Sequence, residues 1–166
     1  MRVVGGHDGL PETRRVTFCA SNTPEQMMGA WINWHRWCLE EHGQEMSAQG
    51  FASDWMEKER SGTFLQIIGW DGAEPVAMVE LRIINDNLLG KQTCWGDHAF
   101  VRADYRKKGI MTDLVQFCID TATLMGLKHW VVPVTAGAQA TAPWLRGVYQ
   151  AAGFELSGIT MARKVA

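Results

Sequence analysis

Two runs rich in β-branched and aromatic residues, Thr63 to Trp70 and Val76 to Ile84, are separated by Asp71-Gly72. Asp-Gly between such runs predicts a tight antiparallel hairpin centred on Asp71 and Gly72, because both central residues of the favoured turn need φ > 0. A further strand-like run, Thr93 to Val101, follows the turn signal Asn85-Asp86-Asn87. What precedes this β-rich centre is helical. Thr23 stands before Pro24 with Gln26 three residues on, which predicts an N-cap, a proline at the first helical position and a capping-box partner. Trp31, Trp34, His35 and Cys38 then recur at helical spacing as far as about His42, and Gly43 ends the run. A second, less marked helix falls within Glu45 to Arg60, and Thr17 to Ala20 forms a first short strand.

After the β-rich centre, Ile110, Leu114, Phe117, Cys118, Thr121 and Met125 are spaced as one face of a helix that Gly126 ends. His129 to Val134 is a short buried strand, and Pro133 within it cannot donate to a ladder, so that strand loses a partner partway along. Thr141 caps another helix, with Pro143 in its first turn and Gly153 at its end, and a final strand runs from about Glu155 to Lys164. The order is β-α-α-β-β-β-α-β-α-β. With 166 residues, 46 % of them apolar, and with no repeat, linker or low-complexity tract, the chain reads as a single mixed α/β domain over 1–166, with 1–13 a loose lead.

Charge removes some function classes. With 16 basic against 18 acidic residues there is no general excess of Lys and Arg to attract a polyanion, so nucleic acid is not expected as a partner. No apolar run reaches the ~20 residues of a membrane helix, the N-terminus lacks the pattern of a targeting segment, and a cytoplasmic location without a membrane partner is the expectation. Cys19, Cys38, Cys94 and Cys118 are far apart and show no zinc-site spacing, so they are expected as reduced, mostly buried thiols and no metal is expected. Eight Trp and nine Met are many for this length, enough that some of this bulk could line a cleft.

The segment richest in chemistry is Val101-Arg102-Ala103-Asp104-Tyr105-Arg106-Lys107-Lys108-Gly109-Ile110-Met111. It reads as a strand, a basic turn with one glycine and a helix start. The unpaired N–H groups and positive dipole end of that helix suit a phosphate or pyrophosphate. The segment resembles the acetyl-CoA signature of the GCN5-related N-acetyltransferases, Arg/Gln-x-x-Gly-x-Gly/Ala, with Arg106 and Gly109 matching, Met111 in place of the final small residue and Lys107 where a glycine is common. Val148-Tyr149-Gln150-Ala151-Ala152-Gly153-Phe154 is similar to the Tyr-x-x-x-Gly-Phe helix end of that family, although Ala142 stands where a small polar residue is often found.

The resemblance covers about Arg15 to Lys164 and implies a mixed, mostly antiparallel sheet of six to seven strands flanked by about four helices. In that family the strands on either side of the signature helix splay apart around the pantetheine arm of the cofactor. Backbone groups of Ala99, Phe100 and Val101 would then hold the acetyl and pantetheine carbonyls. Arg106, Lys107, Lys108, Gly109, Ile110, Met111 and Thr112 would surround the pyrophosphate. The implied reaction is direct attack of a neutral amine on the acetyl-CoA thioester, with Tyr149 protonating the departing thiolate.

A base for the incoming ammonium is sought by strand parity: Asp97 shares a face with Ala99 and Val101, His98 takes the opposite face, and Glu80 lies on the neighbouring strand. Trp31, Trp34 and His35 sit on the helix that borders the acceptor cleft in that family and would suit an apolar, aromatic or cationic amine, although aromatic residues at helical spacing are more often the pattern of a core face. The acceptor itself, a small molecule or a protein side chain, stays open, and a homodimer through a sheet edge is compatible with the resemblance. The departures at Lys107, Met111 and Ala142 support an alternative, a non-catalytic binding or regulatory module that keeps the fold.

Overall fold

The computed structural model describes residues 16–20, 23–86, 91–127, 129–132 and 144–155. Its elements are β1 (Thr17–Ala20), α1 (Pro24–His42), α2 (Ala48–Ser61), β2 (Phe64–Asp71), β3 (Glu74–Asp86), β4 (Lys91–Val101), a 3-10 turn (Ala103–Tyr105), α3 (Ile110–Leu124), β5 (His129–Val131) and α4 (Trp144–Ala151). The expectations for 1–13, Pro133, the Thr141 cap, Ala142 and the final strand beyond Glu155 lie outside the described residues.

The described strands form one sheet in the order β1-β2-β3-β4-β5. The pairs β1/β2, β2/β3 and β3/β4 are antiparallel, and β4/β5 is parallel. Alternation along the strands sends two apolar sets to opposite faces. On one face Ile67, Val79, Leu81, Cys94 and Val101 pack against Ile110, Leu114 and Cys118 of α3. On the other, Phe64, Ile68, Met78 and Phe100 pack against Ala30 of α1 and Trp55 of α2. The result is a sheet between two helical layers, the mixed α/β arrangement expected from the element order.

Polar contacts fix how α1 lies on the sheet. The buried Asn33 donates from Nδ2 to the Ala77 carbonyl at 3.0 Å, and Arg36 donates to the Pro75 carbonyl at 2.9 Å. At the start of α1 the expected cap forms halfway: Thr23 Oγ1 accepts from the Gln26 N–H at 3.3 Å, but the Gln26 side chain turns away from the cap. Its Nε2 donates to the Cys19 carbonyl at 2.7 Å, so the residue that would close a capping box ties α1 to β1 instead.

The hairpin also differs by one residue from the sequence reading. Asp71 pairs with Glu74, so the central residues are Gly72 and Ala73, with Gly72 at φ 61°. A register irregularity between Gly69 and Trp70 takes up the offset. Gly69 lies where a Cβ would stand 2.9 Å from the Phe18 ring and 3.1 Å from the Ala77 Cβ, a gap the flanking strands have closed. Gly69→Ala is therefore expected to destabilise the fold by about 1–3 kcal/mol, read as a lowered denaturant midpoint at unchanged m-value.

Candidate functional site

The site begins with an irregularity in β4. Glu80 pairs with His98, but Leu81 pairs with Gly96, which leaves Asp97 as an extra residue in a bulge. Strand parity therefore does not run through Asp97: Cys94 joins Ala99 and Val101 in the core against α3, while Phe100 belongs to the opposite cluster. The Asp97 side chain lies outside what is described. His98 faces α1, with its ring 4.8 Å from Trp34 and 5.8 Å from Trp37.

One residue before the bulge, the partnership with β5 stops. The pairs are Thr93 with His129, Cys94 with Trp130 and Trp95 with Val131; among the described residues, β4 from Gly96 to Val101 has no strand on that side. Gly96 sits against the Trp130 indole, where an added Cβ would be 3.1 Å from Nε1. That indole N–H is buried and has no acceptor. Among the described residues, that edge of β4 beyond Trp95 is thus not paired by a strand.

The edge leads into the turn at Arg102 to Gly109. Arg102 is held by Asp104 at 2.6 Å and by Glu74, and Lys107 and Gly109 take φ 62° and 82°. The first bond of α3 runs from the Asp113 N–H to the Gly109 carbonyl at 3.1 Å, so the N–H groups of Gly109, Ile110, Met111 and Thr112 precede the helical ladder. A Cβ at Gly109 would meet nothing within 4 Å, so the space beside these donors is open. Met111, the bulky departure in the signature, is partly buried against the α3-side core. A pyrophosphate fits this arrangement of free donors, positive helix end and open space.

The cations of the turn are partly committed. Arg106 donates through Nε to the Val101 carbonyl at 2.8 Å, and its Nη2 reaches Glu40 at 2.8 Å and Glu41 at 3.3 Å near the end of α1. Lys108 Nζ donates to the Asp104 carbonyl at 2.7 Å.

On the α3 side, Tyr149 is 6 % exposed and edge-packed on Phe154, itself edge-packed on Trp130. Burial, with a smaller contribution from the neighbouring Cys118 thiol, pushes the Tyr149 phenol up to about 12, so it carries its proton at neutral pH.

On the other face, Trp31 and His35 lie 5.8 Å apart, with Trp31 edge-on to Phe51 of α2 at 5.3 Å; Trp34 and Trp37 close on His98. The helix thus divides the aromatic group, sending part of it towards α2 and part towards β4. Glu80, only 3 % exposed, binds Lys58 Nζ of α2 through Oε1 at 2.6 Å, and its Oε2 is buried without a partner. Gln66, directly across the strand pair from Glu80, has an equally orphaned Oε1. Burial alone would lower the Lys58 ammonium, but the hydrogen bonds it donates to Asp54 and Glu80 carry it above its ordinary value. Lys58 and Gln66 have no signature in the sequence: one reads as an exposed i,i+4 partner of Asp54, the other as an ordinary strand residue.

The bulged strand, the basic turn and the start of α3 all lie within the part of the chain that one family model matches. The family model described as the acetyltransferase (GNAT) family matches residues 28–154, and the chain belongs to that family. Glucosamine-6-phosphate N-acetyltransferase from Arabidopsis thaliana superposes with a TM-score of 0.67 at 14 % identity, over 90 % of this chain and 99 % of that one. The aminoglycoside 6'-N-acetyltransferase AAC(6')-Ih from Acinetobacter baumannii gives 0.65 at 19 % identity, covering 90 % and 98 %. Ribosomal-protein-alanine N-acetyltransferase from Brucella melitensis biovar Abortus 2308 gives 0.66 at 12 %, covering 90 % and 99 %. No curated protein matches the sequence significantly.

The cysteines offer a check on the electrostatics. Burial pushes the Cys94 thiol up to about 11, and Cys118, more deeply buried and beside Cys94, is also raised well above its ordinary value. Cys19 and Cys38 are half-buried cysteines. Titration of the native protein with a thiol reagent at neutral pH is expected to modify Cys19 and Cys38, with Cys94 and Cys118 reacting only after unfolding.

Proposed function

We propose that this protein is an acyl-CoA-dependent N-acetyltransferase that transfers the acetyl group of acetyl-CoA to a primary amine by direct attack in a ternary complex. The observation that carries this reading is that the stretch of β4 with no described strand on its β5 side, Gly96 to Phe100, leads through the basic turn to the N–H groups of Gly109 to Thr112 that precede the α3 ladder. An extended arm ending in a pyrophosphate matches both parts at once.

Bound acetyl-CoA would supply an activated thioester. Backbone groups of Ala99, Phe100 and Val101 hold the acetyl and pantetheine carbonyls and stabilise the charge that develops on the acetyl oxygen. The N–H groups from Lys107 to Thr112 hold the pyrophosphate, with Arg106, Lys107 and Lys108 adding positive charge. Tyr149 presents a protonated phenol to the leaving sulfur. Proton removal from the arriving ammonium is assigned to Asp97 at the bulge, with His98 beside it on the α1 side. Trp31, Trp34, His35 and Glu80 belong to the acceptor half, on the face covered by α1 and α2.

The alternative of a non-catalytic module rested largely on Met111 filling the phosphate cradle. The packing of Met111 against the core favours the enzyme. Isothermal titration with acetyl-CoA, with coenzyme A for comparison, is expected to give one site per chain. Tyr149→Phe is expected to lower kcat by about 10²-fold at saturating substrate with cofactor binding retained. Absence of binding to either ligand overturns the reading, and unchanged turnover in Tyr149→Phe removes that residue from the mechanism.

A further inference from the structure

The acceptor half of the site contains its own ammonium ion. Lys58 Nζ lies 2.6 Å from Glu80 Oε1, 2.6 Å from Asp54 Oδ2 and 5.2 Å from the centroid of the Phe64 ring. A buried carboxylate, a second carboxylate and an aromatic face are what a cationic amine selects when it leaves water. The two carboxylates differ in surroundings: the Glu80 side chain is 3 % exposed, that of Asp54 57 %, and that of Lys58 28 %. Lys58 therefore bridges an interior anion and a solvent-facing one.

The interior end has capacity to spare. Glu80 Oε2 and Gln66 Oε1 are buried acceptors without donors, on residues directly opposite each other in adjacent strands. An orphaned buried acceptor costs about 1–3 kcal/mol, so a ligand rich in N–H groups gains by supplying these two atoms. A single lysine ammonium, already shared with Asp54, leaves them unmatched.

The place is also right for acyl transfer. Glu80 pairs with His98, the residue after the bulge, so the Glu80 backbone lies one strand spacing, ~5 Å, from β4 at the bulge. The rings of Trp34, Trp37 and His98 wall the same face and offer packing surface for a flat apolar body.

We infer that Lys58 is a resident stand-in for the substrate ammonium: a cationic primary amine with a flat apolar body displaces Lys58 from Glu80, and Lys58 withdraws to Asp54. This rests on the acceptor half of the site assigned under Proposed function and adds to it the charge state in which the substrate binds and the group it must displace. Glu80 becomes the ammonium-binding residue, and Lys58 a positioning residue that keeps the carboxylate paired when the site has no substrate. No bond forms or breaks in this step. One ammonium replaces another, and the net charge of the protein without its ligand is unchanged.

Thermal unfolding in the absence of any acyl-CoA separates this inference from the transferase reading, because it needs no turnover. The probes are phenethylamine and, as its uncharged counterpart, 2-phenylethanol. Phenethylamine is expected to raise the Tm of the wild type modestly and that of Lys58→Met by several degrees more, since that variant holds an uncompensated buried carboxylate. Glu80→Gln is expected to lose the shift, and 2-phenylethanol to produce none. In steady-state assays the KM for phenethylamine is expected to fall on the order of tenfold in Lys58→Met and to rise by about tenfold or more in Glu80→Gln.

Should Lys58→Met fail to fold, Asp54→Asn tests the same exchange from the exposed end: with no second carboxylate to receive it, Lys58 stays on Glu80 and the amine-induced shift shrinks. Equal amine shifts in wild type and in whichever of these two Lys58-site variants folds, a shift retained in Glu80→Gln, or no amine shift in any of the proteins overturns the inference. A wild type that shows these amine effects but does not bind acetyl-CoA would overturn the transferase reading alone.

Discussion

Everything that makes this sheet more than a scaffold depends on β4 losing its regular pairing at two neighbouring points. On the β3 side one residue too many is accommodated at Asp97; on the β5 side the ladder stops at Trp95. A bulge increases local twist and re-aims the residues after it. Here it restores the face that His98 and Phe100 need while the opposite edge stays open. Unpaired backbone in a protein interior is costly unless something satisfies it, and among the described residues no strand does so for β4 beyond Trp95. The turn from Arg102 to Gly109 then leads to the N–H groups at the start of α3 that precede its ladder.

The sheet also keeps two kinds of chemistry apart. Its α3 face carries the protonated Tyr149 and the raised thiols of Cys94 and Cys118, an environment that disfavours anions. The α1/α2 face carries Glu80, Lys58 and the Trp34, Trp37 and His98 rings, an environment that takes a cation with an apolar body. A reaction that brings an amine to an acyl group and then protonates a thiolate needs unlike surroundings for its two partners. A single strand with an open edge between two differently furnished faces provides them.

How much of this could be read from the residues follows the range of each interaction. Local signals were reliable: Thr23 and Pro24 start α1, Gly43 ends it with φ 65°, and the Arg106-to-Gly109 turn opens α3. Errors arose where a distant strand decided. Gln26 is a capping residue by spacing, but the Cys19 carbonyl captures it; Asp71-Gly72 is a turn centre by propensity, but the irregularity at Gly69 shifts it to Gly72-Ala73. Face assignment by alternation could not foresee the bulge at Asp97. The Glu80, Gln66 and Lys58 group was only partly legible, because it joins two strands and a helix whose register no local pattern encodes.

The arginine of the phosphate turn has a wider consequence. Arg106 grips the Val101 carbonyl with one nitrogen and the carboxylates of Glu40 and Glu41 with another, so the last turn of the tryptophan-bearing helix and the end of β4 meet on the same guanidinium. These contacts are charge-based and reach solvent, so they are softened by dissolved ions far more than the apolar core is. Buried packing and the Asn33 bond seat the middle of that helix, so Arg106 adds a second kind of tie at its end, one that dissolved salt can loosen while the rest of the helix stays on the sheet.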